Sequence, residues 1–198
     1  MYSTPVNTGW IEMIVGPMFS GKTEELIRRL NRARYAKQDV FVFKPLIDDR
    51  FSKTKVVSRN KTQIHSLAIE DPELILEKAK QYKVIGIDEV QFFPESIVEV
   101  VNALANTGKR VIATGLDLDF KAQPFQNVSN LMAQAEYVTK LLAICLVCGN
   151  PACRSQRLST GGEGRILVGD SEAYEARCRK CFSPTPQPPA PKHITNPK

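Results

Sequence analysis

The stretch GPMFSGKT, residues 16–23, combines glycine, lysine and hydroxyl side chains at a spacing that suits a phosphate ligand. Gly16 and Gly21 permit torsions and close approaches that a Cβ would block, so successive N–H groups can turn toward phosphate oxygens. Lys22 adds a positive charge, and the Thr23 hydroxyl can ligate Mg²⁺. The pattern predicts a phosphate-binding loop rather than an ordinary connection. Its residues are Gly16, Pro17, Met18, Phe19, Ser20, Gly21, Lys22 and Thr23.

Two adjacent carboxylates follow another apolar run, in KVIGIDEVQFF. Asp88 and Glu89 come at the carboxyl end of a predicted buried strand, which is the edge where α/β sheets bind their ligands. Asp88 is predicted to hold Mg²⁺ through water, and Glu89 to act as a general base on a hydroxyl group or on water. The residues alone leave open a kinase, an ATPase, and a charged strand end that faces solvent.

Four of the five cysteines form two C-x-x-C pairs, Cys145 with Cys148 and Cys178 with Cys181. Such pairs can place four thiolates about 2.3 Å from a zinc ion in tetrahedral geometry, with no open position for water. The pattern therefore predicts a structural zinc site and leaves Cys153 as a passive thiol. A thiol redox pair or free buried cysteines is the alternative.

The elements that must position these residues alternate between apolar strands and amphipathic helices over the first 145 residues. This alternation predicts an α/β fold with a mostly parallel sheet covered on both faces. Strands are predicted at 10–15, 40–44, 84–88, 110–115 and 137–144. Helices are predicted at 23–35, at 72–82, and from Pro94 to just before Gly108.

Three segments lack this alternation. The polar residues 48–63 predict a mobile loop, and the glycine-rich stretch STGGEGRILVGDSEAY between the cysteine pairs predicts a hairpin or an irregular excursion. The proline-rich end, SPTPQPPAPKHITNPK, predicts a disordered tail. The expected organisation is a nucleotide-binding domain at 1–144, a zinc-binding domain at 145–182 and a tail at 183–198.

Composition narrows the class of protein. A chain of 198 residues with 42% hydrophobic residues suits one main domain with a small appendage. MYSTPVNTGW lacks the regions of a signal peptide and no apolar run is long enough to span a bilayer, which predicts a cytoplasmic protein without disulfides. The net charge of +6 could attract nucleic acid, but much of it lies on the first helix and fits a solvated face equally well.

The sequence contains, in this order, GPMFSGKT, DEVQFF, GLDLDF, the paired C-x-x-C motifs and ILVGDSEAYEARC. Cytosolic thymidine kinases of the zinc-containing type have these motifs in the same order. The chain resembles this family over residues 9–182. The resemblance implies a RecA-like P-loop domain with a zinc-ribbon domain that carries a substrate-closing loop, the lasso. It also implies transfer of the γ-phosphoryl group of ATP to the 5′-hydroxyl of thymidine, a salvage step for DNA synthesis.

The resemblance also implies roles for particular residues. Glu89 matches the catalytic base, Lys22 the phosphate-binding lysine, Asp88 and Thr23 the magnesium environment, and Gln91 part of the nucleotide site. Asp48 and Arg50 match a pair near the reacting phosphate and the substrate. The residues implied to surround the base or close over it are Met18, Phe92, Leu116, Phe120, Val168, Gly169, Asp170, Ser171 and Tyr174.

The expected partners are small molecules. Resemblance implies a homotetramer that is inhibited by thymidine triphosphate, with no nucleic-acid or membrane partner. A competing hypothesis is a nucleic-acid-stimulated ATPase with a zinc ribbon, but the chain has no stripe of aromatic and basic residues for stacking bases. A zinc-ribbon binding module with a vestigial loop is disfavoured because Lys22, Thr23, Asp88 and Glu89 are all present.

Overall fold

The computed structural model describes residue 5 and residues 7–46, 55–57, 63–159 and 173–191, with the backbone alone for 55–57 and 63–64. The strands in these ranges are β1 (Trp10–Val15), β2 (Val40–Pro45), β3 (Lys55–Val57), β4 (Gln63–His65), β5 (Leu67–Ile69), β6 (Val84–Ile87), β7 (Arg110–Gly115), β8 (Tyr137–Lys140), β9 (Ala143–Ile144), β10 (Pro151–Ala152), β11 (Arg154–Arg157) and β12 (Tyr174–Arg177). The helices are α1 (Lys22–Tyr35), α2 (Leu74–Lys78), α3 (Ile97–Asn106) and α4 (Gln126–Gln134), with a 3₁₀ turn at Val90–Phe92.

A six-stranded sheet in the order β5-β2-β6-β7-β1-β8 forms the centre of the fold. Every pairing in it is parallel, which confirms the predicted α/β class. Because the strands are parallel, the segments that follow β1, β6 and β7 all leave the sheet at one edge. The phosphate loop, the two carboxylates and the segment after Gly115 therefore meet there.

Two hydrophobic cores cover the sheet, one on each face. Side chains alternate along β1, so Ile11, Met13 and Val15 pack on one face with residues of α3 and α4. Ile14 points to the other face and packs with the buried stripe of α1, which is Leu26, Ile27, Leu30 and Ala33. The helical spacing of that stripe is what places α1 flat against the sheet.

Several boundaries differ from the sequence-based prediction. The predicted helix 72–82 is helical only at Leu74–Lys78, and beyond it Tyr82 stacks on Phe41 with ring centroids 4.7 Å apart. The predicted strand 137–144 is divided, since Ala143 and Ile144 leave the central sheet and pair with β10. In the polar segment 48–63, where only a loop was predicted, β3 pairs antiparallel with β4, which begins at the end of that segment.

The antiparallel pairs β9–β10 and β11–β12 form a small substructure beside the carboxyl edge of the central sheet. Its apolar centre consists of Ala143, Cys145, Ala152, Ala176 and Cys178. Period-two alternation places Ser155 and Arg157 of β11 on the same face as Tyr174 and Ala176 of β12. Gln156, Glu175 and Arg177 lie on the opposite face.

The segment 183–191 packs along the hairpin β11–β12, contrary to the predicted disorder. Gln187 exchanges backbone hydrogen bonds with Arg157 and Ser159, which pairs it with the open edge of β11. Arg177 Nη2 donates to the Pro188 carbonyl oxygen at 2.8 Å, and Glu175 accepts from the Ala190 N–H at 3.0 Å. The strand edge supplies hydrogen-bond partners that the composition of the segment could not indicate. Residues 192–198 lie outside the described ranges.

Glu12 is a buried carboxylate at the centre of a cluster of charged residues between β1, β7 and α1. It accepts hydrogen bonds from Trp10 Nε1 at 2.9 Å, Arg29 Nη1 at 2.8 Å and Arg110 Nε at 2.6 Å. Burial opposes its ionisation, but Arg110, Trp10 and Arg29 together hold the pKa of Glu12 below its ordinary value of 4.5. The carboxylate therefore stabilises the folded state while it is ionised.

We predict that Glu12→Gln lowers the free energy of unfolding at pH 7 by about 1.5–3 kcal/mol, the value of a hydrogen bond to a charged group. Because the folded-state pKa lies below the unfolded one, wild-type Glu12 stabilises the fold above about pH 4.5 and ceases to do so as the pH falls through the folded-state pKa. Urea unfolding from pH 7 down to pH 3.5 should show the difference between variant and wild type shrinking.

The matched control is Glu99→Gln, at an exposed position of α3, which should change stability by less than about 0.5 kcal/mol. A difference between Glu12→Gln and wild type that is constant with pH would contradict the role given to the carboxylate.

Candidate active site

The phosphate loop is a tight turn between β1 and α1. Gly16 has a φ of +150°, and a Cβ there would lie 2.4 Å from the Leu141 carbonyl oxygen, so no side chain fits. Gly21, with a φ of +84°, directly precedes α1. The buried Lys22 donates from Nζ to the Pro17 carbonyl oxygen at 2.8 Å, which places its charge inside the loop. The backbone and the start of α1 therefore form an anion-binding concavity.

Asp88 follows β6 and lies directly across from the start of α1. Its Oδ2 is 3.4 Å from Thr23 Oγ1, and its Oδ1 accepts from Thr114 Oγ1 and from the Glu89 N–H. Thr114 belongs to the neighbouring strand β7, so the carboxylate is fixed from two directions. Carboxylate and hydroxyl oxygens are ligands that Mg²⁺ prefers, and the pair Thr23 and Asp88 fits that ion with water completing its shell.

Glu89 is the next residue and has a left-handed backbone conformation, with a φ of +54°. This conformation is uncommon for a residue with a side chain and occurs often at active sites. Gln91 Nε2 donates to Glu89 Oε2 at 2.5 Å, while Gln91 Oε1 accepts from the Leu116 N–H at 3.0 Å. The buried Gln91 therefore fixes the Glu89 carboxylate relative to the segment that follows β7.

The small substructure contacts the phosphate loop directly. Ser155 Oγ accepts a hydrogen bond from the Met18 N–H at 3.0 Å, across a separation of 137 residues. Phe19 packs against the apolar centre around Cys145 and Cys178. The phosphate loop is thus coupled to the hairpin β11–β12 and to the cysteines.

Phe120 and Tyr174, both implied to face the base, are linked by a residue that the sequence-based prediction missed. The guanidinium carbon of Arg157 lies 4.3 Å from the centroid of the Phe120 ring and 5.9 Å from that of Tyr174. Nothing in the sequence distinguishes Arg157, Ser155 or Thr114 from other surface-type residues. Only the pairing of distant strands reveals them.

The structure leaves part of the predicted site untested. Asp48, Arg50 and Val168–171 lie outside the described residues, as does most of the stretch predicted to close over the base. The contacts described above join the remaining predicted residues, namely those of the phosphate loop, Asp88, Glu89, Gln91 and Leu116. In addition, the Phe92 N–H donates to the Glu89 carbonyl oxygen at 3.1 Å.

The four paired cysteines form one cluster at the base of the hairpin. Their sulfur atoms all lie within 4.8 Å of one another, and those of Cys148 and Cys178 are 3.6 Å apart. Tetrahedral zinc with bonds of about 2.3 Å requires sulfur separations of about 3.8 Å, so the donor set fits zinc. Hydrogen bonds, first of all from Asn150, lower the pKa of the Cys148 thiol to about 6, whereas the hydrogen bond with Cys148 and burial raise the pKa of Cys181 to about 12, because neighbouring thiols without a cation cannot all ionise. All five cysteines are free of disulfides, and Cys153 lies outside the cluster.

The parallel sheet, the phosphate loop and the carboxylates opposite it define a P-loop protein that acts on nucleotide phosphates, with an added cysteine cluster. In the part of the chain that the structure describes, every helix is too short or too polar to cross a bilayer.

A family model described as thymidine kinase matches residues 9–182, which is most of the chain. The chain therefore belongs to the thymidine kinase family, and it is an ATP-dependent kinase that transfers phosphate to thymidine. The cysteine cluster fits the zinc-containing type of the family. The resemblance noted in the sequence is confirmed.

We predict about one zinc ion per purified chain, with Cys178→Ser losing the metal because removal of one of four thiolate ligands weakens zinc binding. Loss of the metal should also loosen the small substructure, since Cys145 and Cys178 lie in its apolar centre. Elemental analysis and thermal unfolding measure both effects.

The matched control is Cys153→Ser, which should keep full zinc content because Cys153 lies outside the cluster. Full zinc occupancy in both Cys145→Ser and Cys178→Ser would show that the cluster is not the metal site.

Proposed function

We propose that Glu89 is the general base of the thymidine kinase reaction. The observation that supports it most directly is the hydrogen bond from Gln91 to Glu89, which holds this carboxylate against the segment that follows β7 while the adjacent Asp88 is engaged by Thr23 and Thr114. Two neighbouring carboxylates with different partners can serve different steps, one directed to the metal and the other to the acceptor.

In this mechanism the thymidine 5′-oxygen bonds to the γ-phosphorus of ATP as its proton passes to the Glu89 carboxylate. The bond between the γ-phosphorus and the β,γ-bridging oxygen breaks, and ADP leaves with that electron pair. Lys22 and the N–H groups of the loop stabilise the charge on the phosphates. Thr23 and Asp88 would hold Mg²⁺, which would supply neutralisation of the phosphate charge. Arg50, outside the described residues, is proposed to add a positive charge near the transferred group.

The nucleoside site is proposed to lie between the phosphate loop, the segment after β7 and the hairpin β11–β12. Met18, Leu116, Phe120 and Tyr174 are proposed to surround thymine together with Phe92, and Asp48 to bind the substrate. Support comes from the contacts that bring these elements together, which are Met18 with Ser155, Arg157 with Phe120 and Arg157 with Tyr174. Main-chain groups of residues 168–171 are proposed to read the polar edge of the pyrimidine.

Zinc is proposed to hold the two ends of the lasso. Cys145 and Cys148 precede β11 and Cys178 and Cys181 follow β12, so a bound ion would fix both strands that enclose residues 158–173. We propose a nucleotide-binding domain at residues 1–144 followed by a zinc-binding domain at residues 145–182.

We propose that the protein is a cytoplasmic homotetramer inhibited by thymidine triphosphate. The first basis is the family resemblance. The edge strand β8 and the adjoining substructure also expose apolar side chains that a second copy could cover, namely Val138, Leu142, Ile144, Leu146 and Val147. Light scattering of the purified protein measures the number of chains in the assembly.

We predict that Glu89→Gln lowers kcat by about 10²–10⁴, the usual contribution of a positioned general base. The amide keeps the size of the side chain and can still accept from Gln91, so ATP and thymidine should bind with nearly unchanged affinity. Steady-state kinetics and equilibrium binding separate the two effects. Glu95→Gln, at an exposed position nearby, is the control and should retain wild-type turnover. Near-normal kcat in Glu89→Gln would remove Glu89 as the base.

A second prediction concerns the pyrimidine edge. Deoxyuridine and deoxycytidine differ at two neighbouring positions: C4 carries an oxygen acceptor in one and an amino donor in the other, and N3 is a donor in one and an acceptor in the other. If backbone groups read this edge, kcat/KM for deoxycytidine should fall below that for deoxyuridine by at least about 5-fold, because each unmatched buried polar group costs about 1–3 kcal/mol. A nucleoside panel assayed with ATP measures the ratio. Equal values for the two nucleosides would disprove this mode of recognition.

A further inference from the structure

Arg157 is a buried charged side chain, and the described residues leave part of its guanidinium group without hydrogen-bond acceptors. It is 2% exposed, and its Nε and Nη2 atoms have no hydrogen-bond partner among the described residues. Burial of a guanidinium without acceptors is unfavourable, so an arginine at such a position reduces stability unless another interaction compensates.

The compensating interaction within the described residues is with aromatic rings. The guanidinium carbon lies 4.3 Å from the centroid of Phe120 and 5.9 Å from that of Tyr174, and both distances are within the range of cation–π attraction. Arg157 and Tyr174 are direct partners in the register of β11 and β12, whereas Phe120 comes from the segment after β7. Arg157 thus connects aromatic residues from two separate parts of the chain.

We propose that Arg157 is a positioning residue of the nucleoside site, where it holds Phe120, and at longer range Tyr174, in the orientation that receives thymine. This inference rests on the proposed nucleoside site. A ring that is already oriented loses less conformational freedom when the base binds. The contact of Arg157 with the Phe120 ring therefore strengthens nucleoside binding, although Arg157 itself does not touch the substrate. The Nε and Nη2 atoms, which have no hydrogen-bond partner among the described residues, are the cost in stability of this arrangement.

If Arg157 is a positioning residue, its replacement should weaken the use of thymidine without lowering the thermal stability of the protein. Arg157→Met keeps most of the side-chain volume and removes the unpaired charge, so Tm should stay the same or rise. KM for thymidine should increase about 3- to 30-fold, the equivalent of one buried cation–π contact, while kcat and KM for ATP change less than about twofold. A purely structural role predicts instead a lower Tm, loss of zinc and damage to both KM values.

The matched control is Arg154→Met, the same substitution on the same strand. Alternation along β11 places Arg154 on the opposite face from Arg157, and its Nη1 contacts the carbonyl oxygen and the sulfur of Cys153. Arg154→Met should leave KM for thymidine at its wild-type value.

A double-mutant cycle with Phe120→Leu tests whether the effect passes through the ring. If it does, adding Arg157→Met to Phe120→Leu should raise KM for thymidine by less than about twofold, because the positioned ring is already absent. Fully multiplicative effects would overturn the proposal. If Phe120→Leu alone leaves KM for thymidine unchanged, the nucleoside site itself is misplaced and the proposal falls with it.

An unchanged KM for thymidine in folded Arg157→Met, with Phe120→Leu impaired, would overturn the role of Arg157 alone. Should Arg157→Met fail to fold, Arg157→Lys decides, because lysine keeps the charge and lacks the planar group that lies on the ring. Arg157→Lys should then raise KM for thymidine and leave KM for ATP unchanged. Any other result overturns the proposal.

Discussion

The close approach of the phosphate loop to the chain after β8 is the constraint on which the rest of the site depends. Gly16 leaves no room for a Cβ against the Leu141 carbonyl oxygen, so the loop is pressed against the point where the chain leaves the central sheet. From that point the chain enters the small substructure, whose Ser155 then binds the Met18 N–H. One backbone contact therefore fixes both the loop and the start of the element that returns to it.

The hairpin β11–β12 uses its two faces for different purposes. The face with Ser155, Arg157 and Tyr174 is directed to the phosphate loop and Phe120. The opposite face binds the segment 183–191 through Glu175 and Arg177. Because side chains alternate along a strand, a change that shifts the register by one residue would exchange the two faces. The cysteine cluster at the base of the hairpin and the segment 183–191 both oppose such a shift.

The two carboxylates show how adjacent residues acquire different environments. Asp88 still continues the line of the parallel strand, where hydroxyl groups of Thr23 and Thr114 reach it. The left-handed turn at Glu89 sends the next side chain in another direction, toward Gln91. A regular strand would place the two side chains on opposite faces of the sheet, whereas this turn keeps both at the same edge.

The sequence by itself determined the features that local spacing encodes. The residues of the phosphate loop, the strand and helix on either side of it, the carboxylates after β6 and the cysteine pairs are each contained in a short motif, so their positions in the fold and the parallel sheet could be predicted. Only the tertiary structure decided the contact of Met18 with Ser155, the exit of Ala143 and Ile144 from the central sheet and the burial of Arg157 against Phe120. Each of these three features depends on groups that are far apart in the chain. The residues next to a serine or an arginine in the sequence do not indicate which distant strand or ring that side chain contacts in the fold.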